Sequence, residues 1–325
     1  MLLKDKLDIK NEKLINCQKI MTNKEKYKIL CEKEKTIPLF SQYWWMNAVC
    51  KKDEWDVFFV GEEKNIIAAM PYYITIKDNK KIITKAKLTQ NNGIWIKYPE
   101  NQKLSTKLSY EEKIIDQVCD FIESLSLDKY EQQYHYNFTN WLPFFWRYYK
   151  EITRYTFVIE NTSDIEKVRM EYSAKIRNQI NNAKKILKVY ESEDLEKFYF
   201  VNKLSFDRQG IEIPYSFEFF KNLYEECKKR DCGKLLFAED EEGNIHSVAM
   251  IVWDEDSVYY LLNGTDPELK KYQGNALLID RSIEIAHDLR KKFDFEGSVI
   301  KGISHSFRQY GGVPKPYFRI YKEFE

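Results

Sequence analysis

Two stretches of the sequence, residues 54–88 and 233–266, carry the same succession of apolar runs and polar turns. VFFVGEEKNIIAAMPYYI in the first aligns with LLFAEDEEGNIHSVAMIVW in the second, with nearly equal spacing of the turns. Each stretch is followed by an amphipathic helical pattern and by another apolar strand, at 131–138 and 293–297. A repeat of about 180 residues predicts two duplicated domains rather than a solenoid. Because each unit combines an antiparallel meander with helices, the predicted fold class is α+β.

The repeat predicts three segments of chain. Residues 1–35 form an N-terminal extension that we expect to be partly disordered, and Met21 is an alternative start. Residues 36–150 form the first domain, and residues 151–325 form the second, which carries the candidate site. The charged N-terminus lacks the apolar stretch of a signal peptide, and no run approaches the ~18 apolar residues of a membrane span.

Composition limits the possible partners. A net charge of +1 gives no overall attraction to DNA or to an anionic membrane, so any polyanion site must be local. Six cysteines without a CxxC pair and only four histidines do not suggest a metal site. Sparse cysteines in a lysine-rich chain favour the reducing cytoplasm as its location.

Helix signals are clear at several points. Ser109–Glu112 and Ser163–Glu166 have the pattern of capping boxes, and apolar residues then recur at helical spacing. The second box predicts the longest helix of the chain, reaching about residue 188. Further helices are predicted after Pro214 and over 275–292.

Two basic or polar segments are candidates for substrate binding. Lys175 and Arg177 lie in a helix rich in bases and amides, which suit phosphate and sugar oxygens. A solvated helix face explains the same pattern. Arg208 and Gln209 lie in a polar loop, 206–216, which is either a functional loop or a plain connection.

The stretch FDFEGS at 293–298 offers candidate catalytic groups. In a strand, Asp294 and Glu296 lie on the face opposite to the two phenylalanines. A carboxylate at the end of a strand could accept a proton from an attacking amine, with Arg308 near the same sheet end and Tyr317 as proton donor to a leaving group. Structural pairing of the acids with Arg308 and Arg319 is the open alternative.

Several motifs together resemble the Fem-type transferases. They are FDFEGS followed by GISHSFRQYGG and PYFRI, the basic helix SAKIRNQINNAKK, and SQYWWMNAV at 41–49, which contains Trp44. The turn Lys271-x-x-Gly274-x-Ala276, at a predicted strand-to-helix junction, is similar to the pyrophosphate loop of GNAT acetyltransferases. The similarity covers about residues 36–325 and is strongest to the acetyltransferase-like branch.

The resemblance implies two tandem GNAT-like domains and transfer of an acyl group to an amine. It implies catalytic roles for Asp294, Glu296, Arg308 and Tyr317 and substrate contacts for the other motif residues. The second set comprises Trp44, Lys175, Arg177, Arg208 and Gln209. By the same resemblance Lys271, Gly274 and Ala276 would hold acyl-CoA, the expected donor, without a metal. The sequence departs from the tRNA-dependent enzymes in two ways. It has Glu296 where Fem-type enzymes commonly have glycine, and it lacks the long helical arm that those enzymes often insert for tRNA.

These observations predict an N-acyltransferase that modifies a nucleotide- or lipid-linked amino sugar of the cell envelope or a surface polysaccharide. The amine would attack directly, with an N–H of residues 245–253 stabilising the oxyanion, since no serine or cysteine nucleophile is evident. One alternative is an aminoacyl-tRNA-dependent ligase acting on a peptidoglycan precursor, the only case in which tRNA would be a partner. The other is a non-catalytic glycan- or nucleotide-binding module.

Overall fold

The computed structural model describes residues 21–297 and 299–324, which build one mixed sheet of 12 strands with helices against it. The strands are β1 (Trp55–Glu62), β2 (Asn65–Lys77), β3 (Lys80–Thr84), β4 (Trp95–Ile96), β5 (Lys129–Gln133), β6 (Lys150–Ile159), β7 (Lys188–Glu191), β8 (Gly233–Glu239), β9 (Ile245–Trp253), β10 (Ser257–Thr265), β11 (Lys292–Asp294) and β12 (Val313–Glu323). The helices are α1 (Asn23–Lys33), α2 (Tyr43–Val49), α3 (Leu104–Ser124), α4 (Leu142–Trp146), α5 (Ile165–Met170), α6 (Ala174–Ala183), α7 (Leu195–Asp207), α8 (Phe217–Lys228), α9 (Gly274–Asp288) and α10 (Lys301–Arg308). Short 3-10 turns lie at Leu39–Ser41 and Lys270–Tyr272.

The sheet is built from two equivalent halves. In the first, β1, β2 and β3 form an antiparallel meander, and after α3 the chain returns as β5, parallel to β3. In the second, β8, β9 and β10 form the matching meander, and after α9 the chain returns as β11, parallel to β10. The α+β fold with tandem GNAT-like halves is therefore confirmed.

The two halves join at the centre of the sheet. β6, which lies between the halves in sequence, pairs with β11 of the second half. β12 follows the second half but lies between β5 of the first half and β6. The centre of the sheet therefore runs β5-β12-β6-β11, and hydrogen bonds cross between the halves without a gap. The predicted division at residue 150 stays a prediction, and it coincides with the first residue of β6.

The N-terminal helix α1 packs on the first half. Thr22 and Glu25 form a capping box at its start, and the buried Tyr27 donates its hydroxyl to Ser41 O at 2.6 Å. Tyr27 and Leu30 pack with Trp55 and Trp95 in one apolar cluster. Part of the predicted extension 1–35 is thus a packed helix, while the prediction for residues 1–20 and Met21 as a start concerns a segment largely outside the described residues.

The long helix predicted over 163–188 is wrong, because the chain forms α5 and α6 with a break between them. Ser173 leaves the helical conformation, donates its N–H to Gln309 O at 2.8 Å and accepts the N–H of Ile176 as the cap of α6. Asp164, not Ser163, caps α5 by accepting the N–H of Lys167. Ser109 likewise lies inside α3 and caps nothing. The helices predicted after Pro214 and from residue 275 are confirmed as α8 and α9.

Each half has its own apolar core. Ile114, Ile115, Val118 and Ile122 of α3 face the first-half sheet, where they are buried. In the second half α9 packs so closely on β9 that a Cβ at Gly274 would lie 2.9 Å from Ser247 Oγ. The cores fix both faces of the sheet, so the polar groups at its centre are held in rigid strands.

Candidate active site

Asp294 and Glu296 lie where β11 ends, on the sheet face opposite to the buried Phe293 and Phe295. They border a small cavity of about 20 Å³, which has room for about one water molecule. We call it the acid cavity. Its lining residues are Gln90, Asn91, Tyr134, His135, Tyr136, Thr156, Asp294, Glu296 and Tyr317.

Asp294 is held as a nearly buried carboxyl group. Its Oδ1 accepts hydrogen bonds from the Thr156 hydroxyl and from the Glu296 N–H, the latter at 2.8 Å. Burial raises the pKa of Asp294 to about 6, although both hydrogen bonds oppose the shift. A carboxylate with that pKa is ionised at neutral pH and still binds a proton well, which is what a general base requires.

Glu296 has a different environment. Its backbone is left-handed, at φ 66°, and Oε2 is buried without a hydrogen-bond partner among residues 21–297 and 299–324. Burial first, and then the charge of Asp294, raises the pKa of Glu296 well above its usual range, against the influence of Lys85. Two neighbouring carboxyl groups that share one site rarely ionise together, so burial and the charge of Asp294 both favour a proton on the pair.

Tyr317 and Arg308 separate in the structure. Tyr317 of β12 lines the acid cavity, and burial raises the pKa of its hydroxyl. Arg308 lies exposed at the end of α10, beside His305 Nδ1 at 3.3 Å, and does not line the acid cavity. Arg308 lies on α10, which connects β11 to β12 in the chain. Its catalytic role stays a prediction.

A larger cleft of about 230 Å³ adjoins the acid cavity, since Asn91, Tyr134 and His135 border both. Its other walls are the segment before α2, the 91–98 strand region and the acidic β9–β10 turn. They comprise Lys35, Thr36, Ile37, Pro38, Ser41, Asn92, Gly93, Ile94, Trp95, Ile96, Tyr98, Asn137, Phe138, Asp254, Glu255, Asp256 and Tyr259. The sequence analysis missed this cleft. The signals were the amide-rich stretch QNNG at 90–93 and the QQYHYN run at 132–137, which begins in β5.

A second space, the basic groove of about 560 Å³, continues from this cleft and shares Lys35, Ile37, Asp254 and Glu255 with it. Trp44 lines the groove, and the Arg230 guanidinium lies 4.6 Å from the Trp44 ring centre. Three lysines, Lys28, Lys35 and Lys291, and four acids, Glu32, Asp231, Asp254 and Glu255, border it as well. The groove therefore carries charges of both signs, and its cations are the groups that suit a phosphate.

The remaining predicted substrate-binding residues lie elsewhere. Arg177 donates to Met170 O at 3.1 Å and to Tyr172 O, so it satisfies the carbonyl groups at the end of α5. Lys175 is exposed on α6. Arg208 ends α7, and the exposed Gln209 donates to Ser205 O at 2.8 Å. All four lie outside the acid cavity, the cleft and the basic groove.

Comparison with known proteins identifies the second half. Residues 171–300 match the family model "Acetyltransferase (GNAT) domain". The chain carries a GNAT acetyltransferase domain in a Fem-type fold. It is accordingly an acyltransferase.

Solved structures show the same fold over nearly the whole chain. FemX matches with a TM-score of 0.68 at 11% identity, covering 92% of this chain and 96% of that one. A domain of a putative lysylphosphatidylglycerol synthetase from Agrobacterium fabrum matches with a TM-score of 0.58 at 7% identity, covering 93% and 92%. L-PGS from Bacillus licheniformis matches with a TM-score of 0.53 at 9% identity, covering 84% and 85%. No curated protein matches this sequence.

GNAT domains typically use acyl-CoA, and the assignment of Lys271, Gly274 and Ala276 to its anionic part stays a prediction. Gly274 opens α9, whose first N–H groups suit an anion. Nδ1 of the buried His246, which packs beside Gly274, has no hydrogen-bond partner within the described part of the chain. Lys271 lies 5.0 Å from the Tyr272 ring centre in the preceding turn, and Ala276 is buried in the helix.

Two further expectations concern the GNAT half. β9 pairs with β8 and with β10 along residues 247–252, and a shift in the β8–β9 register leaves His246 between paired positions. The predicted oxyanion contact within 245–253 stays a prediction. Over the described ranges, no three or more His, Cys, Asp and Glu side chains are grouped to hold a metal ion. Likewise, none of the described helices is long and apolar enough to cross a membrane.

Proposed function

We propose that the protein is an N-acyltransferase that moves an acyl group to the amine of a nucleotide- or lipid-linked sugar, in the synthesis of a surface polysaccharide or the cell envelope. The observation that carries the proposal is the pair Asp294 and Glu296. Both carboxyl groups are buried in a cavity that adjoins a cleft, and burial raises the pKa of each. Such a pair can take a proton from an amine and return one to a leaving group.

The residues act in sequence on the acceptor amine. Asp294 takes a proton from the amine nitrogen as that nitrogen bonds to the acyl carbon, directly or through the one water molecule that the cavity holds. Thr156 and the Glu296 N–H keep the accepting carboxylate in place. Glu296, or Tyr317, then gives a proton to the leaving atom of the donor, and the acid cavity excludes bulk water from the transfer.

The acceptor's phosphate binds in the basic groove. Arg230 and Trp44 supply a cation and a flat apolar face, and Lys35 lies where the groove meets the cleft. The cleft is lined by Asp254 and other acids that suit the approaching amine. We prefer this location over the predicted Lys175 and Arg177, because those two residues line neither the acid cavity nor the spaces that adjoin it.

The donor is acyl-CoA, with Lys271, Gly274, Ala276 and His246 holding its anionic part. When bound, acyl-CoA supplies the acyl group as an activated thioester. The described cysteines are all free thiols, which agrees with our placement of the protein in the cytoplasm.

The test is a transfer assay with acetyl-CoA and a panel of UDP-linked sugars that carry a free amine, followed by mass spectrometry. We expect one acetyl group on the sugar nitrogen, and a loss of about 10²–10⁴-fold in rate for Asp294→Asn, as for removal of a general base. The exposed Asp53→Asn is the matched control. Transfer that is unaffected by Asp294→Asn would refute the proposed mechanism, and no transfer to any acceptor with this donor would refute the proposed reaction.

A second candidate is aminoacyl transfer from charged tRNA to a cell-wall precursor. The shared fold with FemX and with a protein named as a lysylphosphatidylglycerol synthetase favours it. Incubation with lysyl-tRNA and alanyl-tRNA, and a steep fall of tRNA affinity with salt, would support this reaction over the first. Absence of tRNA binding at 50 mM salt would exclude it.

A further inference from the structure

His135 occupies the junction of the two spaces described above. It borders both the cleft and the acid cavity, together with Asn91 and Tyr134. It is therefore placed between the carboxyl groups of Asp294 and Glu296 and the space that would hold a substrate.

The main chain around His135 is fixed on both sides. Tyr134 donates its N–H to Phe318 O of β12 at 2.9 Å, and Gln133 O accepts the N–H of Asn92 at 2.8 Å. A Cβ at Gly93 would lie 2.6 Å from Tyr134 Cδ1, so the glycine lets this segment pack against residues 90–93. The imidazole also lies 4.0 Å from the Tyr136 ring, centre to centre.

The hydrogen bonding of His135 fixes its tautomer. Nδ1 accepts the N–H of Asn137 at 3.2 Å. A ring nitrogen that accepts a hydrogen bond carries no proton, so the proton of the neutral ring is on Nε2.

The ring is neutral at the pH at which cells work. Burial lowers the pKa of His135 to about 4, even though Asp254 and Asp256 of the β9–β10 turn raise it, and Lys292 of β11 lowers it further. A neutral imidazole with a fixed Nε2–H is a hydrogen-bond donor that costs no reorganisation when charge develops on an acceptor.

We propose that His135 is a catalytic residue whose Nε2–H donates to the carbonyl oxygen of the acyl group during transfer. The inference rests on the proposed acyl-transfer function. In the step itself, a bond forms between the amine nitrogen and the acyl carbon, and the bond from that carbon to the donor's leaving atom breaks. The amine's proton goes to Asp294, and the acid cavity returns a proton to the leaving atom. The carbonyl oxygen gains negative charge only in between, and His135 stabilises it there.

The first test is the protonation state of the ring, which does not depend on activity. The imidazole nitrogens are observed in two-dimensional ¹H–¹⁵N spectra. The signals of His135 are those that disappear from the spectrum of His135→Gln. We expect a neutral ring with the proton on Nε2 from pH 5.5 to 8. A ring protonated on Nδ1, or an imidazolium at pH 7, would overturn the inference whether or not the enzyme turns over.

The second test is kinetic, with acetyl-CoA and the amino-sugar acceptors as probes. We expect His135→Phe, which keeps a flat ring, to lower kcat by about 10²-fold with little change in KM. His135→Gln should recover about tenfold of that loss, because its amide still donates. The control is His305→Phe on the exposed face of α10.

The outcomes separate this inference from the proposed function. If the wild type transfers the acetyl group and His135→Phe changes kcat by less than twofold, the role of His135 is refuted and the proposed function is not. A neutral Nε2–H ring in a wild type that transfers no acetyl group to any acceptor would refute the proposed acetyl transfer, and with it the catalytic role that rests on it.

Discussion

The raised pKa of Asp294 makes a prediction about stability that needs no substrate. We expect Asp294→Asn to make the protein more stable at neutral pH. The amide has nearly the shape of the carboxyl group, and its oxygen can still accept from the Thr156 hydroxyl and the Glu296 N–H. The substitution therefore removes the buried charge and keeps the hydrogen bonds.

The magnitude follows from the pKa values. The carboxyl group changes from an ordinary pKa of 3.8 to about 6 on folding. A shift of about two units corresponds to about 3 kcal/mol of differential stability. Because the folded-state pKa is raised, this group's contribution to the stability of the wild type is complete below pH 3.8. It is lost as the pH rises through 6.

The assay is denaturant unfolding followed by tryptophan fluorescence at pH 4, 6 and 8. At pH 8 we expect the free energy of unfolding to be about 2–3 kcal/mol higher for Asp294→Asn than for the wild type. The gap should shrink towards zero at pH 4. The exposed Asp53→Asn should follow the wild type at all three values. A variant that is less stable than the wild type at pH 8, or a gap that does not change with pH, would refute the reasoning.

Three further predictions follow from other contacts. Asp280→Asn should lower the free energy of unfolding by about 2 kcal/mol, since Arg169 loses a buried carboxylate bonded at 3.0 and 3.1 Å but keeps Glu166 and Glu284. Denaturant titration measures the loss, and an unchanged free energy of unfolding would contradict the prediction. Gly93→Ala should displace the Tyr134 ring and change the His135 signals in the ¹H–¹⁵N spectrum, and unchanged signals would refute the packing argument. Arg230→Ala should weaken the binding of UDP, used as a phosphate probe, by about tenfold in calorimetry. An unchanged affinity would refute the assignment of the phosphate to the basic groove.

The repeat was predictable because it depends on local sequence patterns. Apolar alternation and turn residues recur in the two meanders, and each strand was visible without knowledge of its neighbours. The break between α5 and α6 was not visible in the same way. It depends on Ser173 bonding to Gln309, which is far away in sequence. The helical periodicity continues across the break and hides it.

The site was predictable only in part, for a related reason. Asp294 and Glu296 follow an apolar strand before a glycine, a local signal that placed them at a strand end. Arg308 follows Glu296 in the sequence, but the sequence did not reveal that it ends an intervening helix, α10, and lies exposed there. His135 carries no motif at all. Its position at the cavity depends on which strand lies beside β5, and strand order is set by long-range pairing.

The junction of the two halves explains why the candidate site lies at the centre of the sheet. His135 follows β5, Tyr317 is on β12, Thr156 is on β6 and Asp294 ends β11, and these are four consecutive strands of the sheet. One of them, β12, follows the second half in sequence but pairs with β5 of the first half. The second half therefore lacks part of the set, because His135 comes from the first half. The duplication gives two similar meanders, but the acid cavity exists because β12 places the end of β5 beside β6 and β11.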